Sequence, residues 1–148
     1  MTTKGTPESL EIEGPGRMKF RDGYFKILQF TDCHMCFEEE DEKTIRVIED
    51  LISLEDPDLV VLTGDCVSGT SIEKTPEGAK EFESKWRKLV APMKKAGKNW
   101  AMVLGNHDPD GPLTREEILK LDKELGGMAR CGFATEKGGV TNYVIELF

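Results

Sequence analysis

Apolar residues occur in this chain in two rhythms. Short dense runs ("KILQF", "DLVVL", "WAMVL") alternate with longer segments in which apolar residues recur every three or four positions. The dense runs suit strands buried on both faces of a sheet, and the spaced segments suit helices with one buried side. A strand is expected over Phe25–Thr31, after a short one near Met18–Phe20, with Asp22-Gly23 as the hairpin turn between them. Ile45, Ile48, Leu51 and Ile52 then mark one face of a helix that Pro57 ends. "DLVVLTGD" reads as a second strand, and residues 67–78, rich in Ser, Thr, Gly and Pro, as a surface loop.

A second helix is expected from Pro76 to Lys95, with Phe82, Trp86, Leu89, Val90 and Met93 facing inward. "NWAMVLGNHD" supplies a third strand. Thr114 and Glu117 have the spacing of a capping box that opens a helix over "REEILKLDKEL", which Gly126-Gly127 stops. "VTNYVIELF" predicts a last strand. The order is a hairpin, then βαβαβ, then a helix and a strand. It predicts an α/β fold with right-handed crossovers and a parallel central sheet. Residues 1–17 are polar and carry Gly and Pro, so a disordered tail is expected there, with one domain over 18–148.

Charge narrows the function classes. A formal net charge of −8 argues against a generic binder of nucleic-acid backbones, which needs a basic surface. Much of the acidity lies in "EEEDE", Glu38 to Glu42, expected to be a solvated face or loop. No apolar run reaches the roughly 20 residues of a membrane span. The first residues lack the apolar core of a signal peptide, which predicts an intracellular, cytoplasmic protein. Trp86 and Trp100 are read as core residues.

The candidate chemistry sits where the strands end. Asp32-x-His34, Gly64-Asp65 and Gly105-Asn106-His107-Asp108 follow the three strands in turn, and they contain both histidines of the chain. Ligands of open parallel sheets bind beyond the carboxyl ends of the strands, so the three clusters should converge. Singly, each aspartate or asparagine is an ordinary turn or cap former, and each histidine an ordinary structural residue. Together they suit Mn, Fe or Zn. A central aspartate can bridge two ions, and ions about 3.5–4 Å apart stabilise both oxygens of a phosphoryl displacement. A histidine beside them can protonate the leaving alkoxide.

The same stretch also spells Cys33-His34-Met35-Cys36, a C-x-x-C. A redox pair needs a lowered thiol pKa at a helix start, and no thioredoxin-like element order accompanies it. A zinc site of Cys33, Cys36, Cys66 and Cys131 would normally show a second C-x-x-C, which is absent. Cys33 and Cys66 are more simply small side chains turned away from the outward-facing ligands.

Asp32-x-His34, Gly64-Asp65 and Gly105-Asn106-His107-Asp108, with "FKILQFTDCH", "PDLVVLTGD" and "WAMVLGNHD" around them, resemble the N-terminal half of the calcineurin-like metallophosphoesterase signature, in its purple-acid-phosphatase-like branch. The resemblance implies the N-terminal part of a metallophosphoesterase α/β sandwich and a dinuclear centre of Fe, Mn or Zn. Asp32 and His34 would hold the first ion, Asp65 would bridge, Asn106 would bind the second, and His107 would be the catalytic acid. A metal-bound hydroxide would attack a phosphate monoester in line, the partner being a phosphoprotein or a small phosphate ester. Two departures stand out. Purple acid phosphatases carry a tyrosine three residues after the bridging aspartate, where this chain has Ser68, and no histidine follows His107. The chain is therefore expected to be truncated, with "YVIELF" as an open edge; a partner chain that supplies the missing half is the other reading. With an incomplete ligand set, an inactive pseudoenzyme or scaffold on the same fold is the alternative function.

Overall fold

The computed structural model describes residues 18–129, 140–145 and 147. The tail over 1–17 and Cys131 lie outside them. Three strands, β1 (Ile27–Phe30), β2 (Leu59–Leu62) and β3 (Asn99–Met102), form a parallel sheet in the order β1-β2-β3. Helix α1 (Glu38–Glu55) connects the first pair and α2 (Pro76–Lys95) the second, while α3 (Arg115–Leu125) follows β3. This is the α/β architecture that the two rhythms of apolar residues imply.

The alternation within each strand sorts its residues between two apolar clusters. Val60, Leu62, Trp100 and Met102, with the half-buried Leu28 and Phe30, pack with Ile48 and Ile52 of α1 and with Phe82, Trp86, Leu89, Val90 and Met93 of α2. All five of the α2 residues expected inward are fully buried. Leu59 and Ala101 project the other way and pack with Met18 and Met128. Trp86 and Trp100 are core residues as expected, and both indole N–H groups donate to Oδ1 of buried Asp122, at 3.1 and 2.9 Å.

Helix boundaries follow from their caps. Thr75 Oγ1 accepts from Gly78 N at the start of α2, and Pro76 fills its first position. Thr114 and Glu117 form the expected reciprocal capping box, and Gly126 closes α3 in the left-handed region at φ 107°. Asp56 ends α1 in the same conformation, φ 43°.

Four expectations need correction. β1 is not buried on both faces: among the described residues it is an edge strand, and Ile27 is 55% exposed. The expected first strand near Met18–Phe20 is reduced to a single antiparallel bridge, Arg21 to Tyr24, around an Asp22-Gly23 turn with both central φ values positive. The turn chemistry is therefore right, but no ladder continues from it. The last expected strand does not form among residues 140–145 and 147. That segment is held by side chains instead: Tyr143 Oη donates to Met102 O at 2.7 Å, and Thr141 Oγ1 accepts from Leu104 N at 3.3 Å. Finally, "EEEDE" is neither wholly solvated nor a loop. It forms the first turns of α1, where acidic groups suit the helix dipole, and Asp41 within it is buried.

Candidate metal centre

Beyond Phe30 and Leu62 the first two strands stop as strands, yet their backbones stay joined. Asp32 N donates to Gly64 O, His34 N to Asp65 O and Met35 N to Cys66 O, each at 3.0 Å, and Met35 bridges Val67. Asp32, His34 and Asp65 achieve this in the left-handed region, at φ 53°, 45° and 49°. Asp and His enter that region more readily than most residues. The distorted ladder brings one ligand atom from each of the three within 4.8 Å of the others.

The third strand end is drawn in by close backbone contact. A Cβ on Gly64 would lie 2.7 Å from Gly105 Cα, and one on Gly105 would run into the Asp65 carboxylate. Only glycines allow this approach. It lets His107 N donate to Asp65 Oδ1 at 2.8 Å. That bond orients the carboxylate while leaving Oδ2 and further lone-pair capacity on Oδ1 for cations. Asn106 is exposed on the turn between Gly105 and His107. The rings of His34 and His107 stand 5.7 Å apart between centroids.

The supporting roles of three residues, Asp108, Ser68 and Asp110, escape a reading of motifs alone. Asp108 is fully buried and accepts from four backbone N–H groups: Asp65 (2.9 Å), Cys66 (2.8 Å), Val67 (3.1 Å) and Gly105 (2.8 Å). It ties the second strand end to the third. Burial pushes its carboxyl pKa up against the pull of those donors. Ser68 Oγ lies 3.1 Å from His34 Nδ1. When Nδ1–H donates there, Nε2 is left as a lone-pair donor, 3.8 Å from Asp32 Oδ1. Asp110 Oδ2 similarly lies 2.9 Å from His107 Nδ1. The spacing His107-x-x-Asp110 was the available signal for that pair; nothing local in the sequence announces the contact of Ser68 with His34.

Among the described cysteines, Cys33 and Cys66 lack the character of a thiol centre. Cys66 is buried, and Cys33 is pushed up to about 11 by burial and by the Asp108 and Asp32 carboxylates. Both therefore stay protonated thiols near neutral pH, the opposite of a redox nucleophile. Two carboxylates and an imidazole are instead the donor set of a borderline or hard divalent ion, and their mutual approach at exposed and half-buried positions fits one.

A family model for calcineurin-like phosphoesterases matches residues 25–143. Phosphatase DCR2 of Saccharomyces cerevisiae is 31% identical over 145 residues, covering 86% of this chain and 24% of that protein. Probable inactive purple acid phosphatase 14 of Arabidopsis thaliana is 34% identical over 128 residues, covering 74% of this chain and 30% of that protein. The chain thus spans about a quarter to a third of the length of these relatives. Among solved structures, the Pseudomonas putida nuclease MPE is similar over 59% of this chain and 41% of its own, with a TM-score of 0.40 and 19% identity. With the family model covering most of the chain, both rhythms of the fold included, the protein belongs to the calcineurin-like phosphoesterase family.

Proposed function

We propose that the protein is a metal-dependent phosphatase acting on phosphate monoesters, either a phosphoprotein or a small ester. One observation carries the reading: the ligand atoms of Asp32, His34 and Asp65 gather within 4.8 Å beyond the carboxyl ends of two adjacent parallel strands. In this reading Asp32, His34 and Asp65 hold a first ion, and Asp65 with Asn106 a second, of Fe, Mn or Zn. Such ions, when bound, neutralise charge on the phosphoryl oxygens and make water reactive near neutral pH.

The chain's own groups do the rest. Ser68 holds the ring of His34 so that Nε2 is the ligand atom. The His107 amide fixes the Asp65 carboxylate before any ion arrives, so little reorganisation is needed on binding. With Nδ1 tied to Asp110, His107 has Nε2 available to hold the proton that the departing alkoxide takes.

The test is metal-dependent release of nitrophenolate from para-nitrophenyl phosphate by the Mn(II)-loaded chain. Asp65→Asn is expected to abolish turnover. His107→Ala is expected to retain its metal content and to lower kcat about 10²–10⁴-fold for phosphate release from an alkyl ester such as glycerol phosphate. It should lose much less on para-nitrophenyl phosphate, whose leaving group needs no proton. A loaded wild-type chain without turnover would overturn the enzyme reading. That outcome would favour a second reading, a non-catalytic scaffold on the same fold, which has support in Arabidopsis thaliana relatives named as probable inactive purple acid phosphatases.

A further inference from the structure

Two residues beyond His34, Cys36 is gripped at both ends of its own backbone. Asp41 Oδ1 accepts from Cys36 N at 2.8 Å, and Lys85 Nζ donates to Cys36 O at 2.8 Å. The two side chains close the ring between themselves, Lys85 Nζ to Asp41 Oδ2 at 3.0 Å. Asp41 comes from the first turn of α1 and Lys85 from the middle of α2, and both are buried, at 3% and 8% exposure.

We infer that the buried Asp41–Lys85 pair is a positioning device for the Asp32–His34 arm of the metal centre, holding Cys36 so that His34 keeps its left-handed place. The inference rests on the metal-centre reading above.

A plain strut between α1 and α2 is the simpler role, and it explains the pair poorly. The two helices already share an apolar core, and Lys88 joins them again at the surface through Glu38 and Glu42. A buried ion pair is seldom better at joining helices than apolar residues of the same size. What an apolar pair cannot do is hold one peptide N–H and one C=O at fixed positions. The other backbone hydrogen bonds of the stretch from Asp32 to Met35 come from the opposite side, from Gly64, Asp65, Cys66 and Ser68 after β2. Met35 packs its side chain into the core, but without the clamp the backbone around His34 and Cys36 would be hydrogen-bonded on one side only. A ligand held in an uncommon backbone conformation then has an easy route to relax.

The experiment is a Co(II) titration of the full 148-residue chain, followed by calorimetry and by visible absorption, which reports coordination geometry. The double variant Asp41→Leu/Lys85→Met is expected to fold with a near-wild-type thermal midpoint. Its Co(II) affinity is expected to fall about tenfold or more, with an altered absorption band. Lys88→Met, which removes only the surface pair, is expected to change neither. A folded double variant with wild-type affinity and absorption would overturn the inference while leaving the metal centre intact. A wild-type chain that binds no Co(II) would overturn the metal-centre reading and the inference with it. If the double variant does not fold, Lys85→Gln decides, because the shorter side chain withdraws the donor from Cys36 O while keeping a polar partner for Asp41. Severalfold weaker binding is expected there, and unchanged binding would overturn the inference.

Discussion

Gly105 carries more of the site than its lack of a side chain suggests. Its Cα lies where Gly64 leaves room for it, and a methyl group on it would strike the Asp65 carboxylate and amide. Gly105→Ala is expected to push the second and third strand ends apart. Overpacking of this kind costs about 1–3 kcal/mol, measurable by urea denaturation, and should weaken Co(II) binding in parallel. Gly97→Ala is the matched control. Gly97 also has a positive φ, 64°, but a Cβ there meets nothing within 4 Å. That variant should lose about 1 kcal/mol to backbone strain with metal binding unchanged. Ser68 shows the same scale from the other side. Its hydroxyl serves a ring that lies 34 positions away in sequence, so the spacing that singled out Ser68, three residues after Asp65, carried no hint of that role.

At the scale of the element, α3 shows how local chemistry sets a boundary. Glu117 accepts from the Thr114 N–H and hydroxyl, and these bonds hold its carboxyl below the ordinary glutamate range. A depressed folded-state pKa gives stability that is present above the unfolded-state value and lost as pH falls through the folded one. Glu117→Ala should therefore lower the denaturation midpoint at pH 7. The gap from wild type should close as the carboxylate protonates, which midpoints measured between pH 7 and about 3 would reveal. This element was fully legible, because caps and periodicity are local signals. β1 was legible in place but not in burial: "KILQF" has the composition of a central strand, yet its position at the sheet edge is a fact of topology. The terminal "VTNYVIELF" misled for the converse reason. Its alternation suits a strand, but a strand exists only by pairing, and residues 140–145 meet β3 and the loop after it through side chains instead.

For the whole molecule, the notable joint is Asp122. From α3 it accepts the indole N–H of Trp86 on α2 and of Trp100 on β3. It thereby pins three elements at one buried oxygen, whereas the sequence shows only a polar residue within a helical pattern. Asp122→Leu would leave two buried donors without that acceptor and should cost about 3 kcal/mol, read as a shift in the urea midpoint. The convergence of three strand ends was legible for a general reason, since parallel strands must all end on one edge of the sheet. Which residues would brace that edge was not. Asp108 and Lys85 act on backbone groups more than 40 positions away, and Asp41 on one five positions before it, and such contacts leave no periodic trace.

The left-handed backbone at Asp32, His34 and Asp65 has a consequence for how such a protein can age in evolution. These three side chains are exposed or half-buried and support little of the core. Their unusual φ values and gathered carboxylates are liabilities that the proposed metal site would justify. Asparagine or glycine in their place would relieve charge crowding at no steric penalty, whereas Asp108, Gly64 and Gly105 are fixed by packing whether or not anything is hydrolysed. A lineage released from selection for turnover would therefore keep its architecture and lose its ligands first. Catalytic silence is then a short mutational step away, and the fold itself would give no sign that it had been taken.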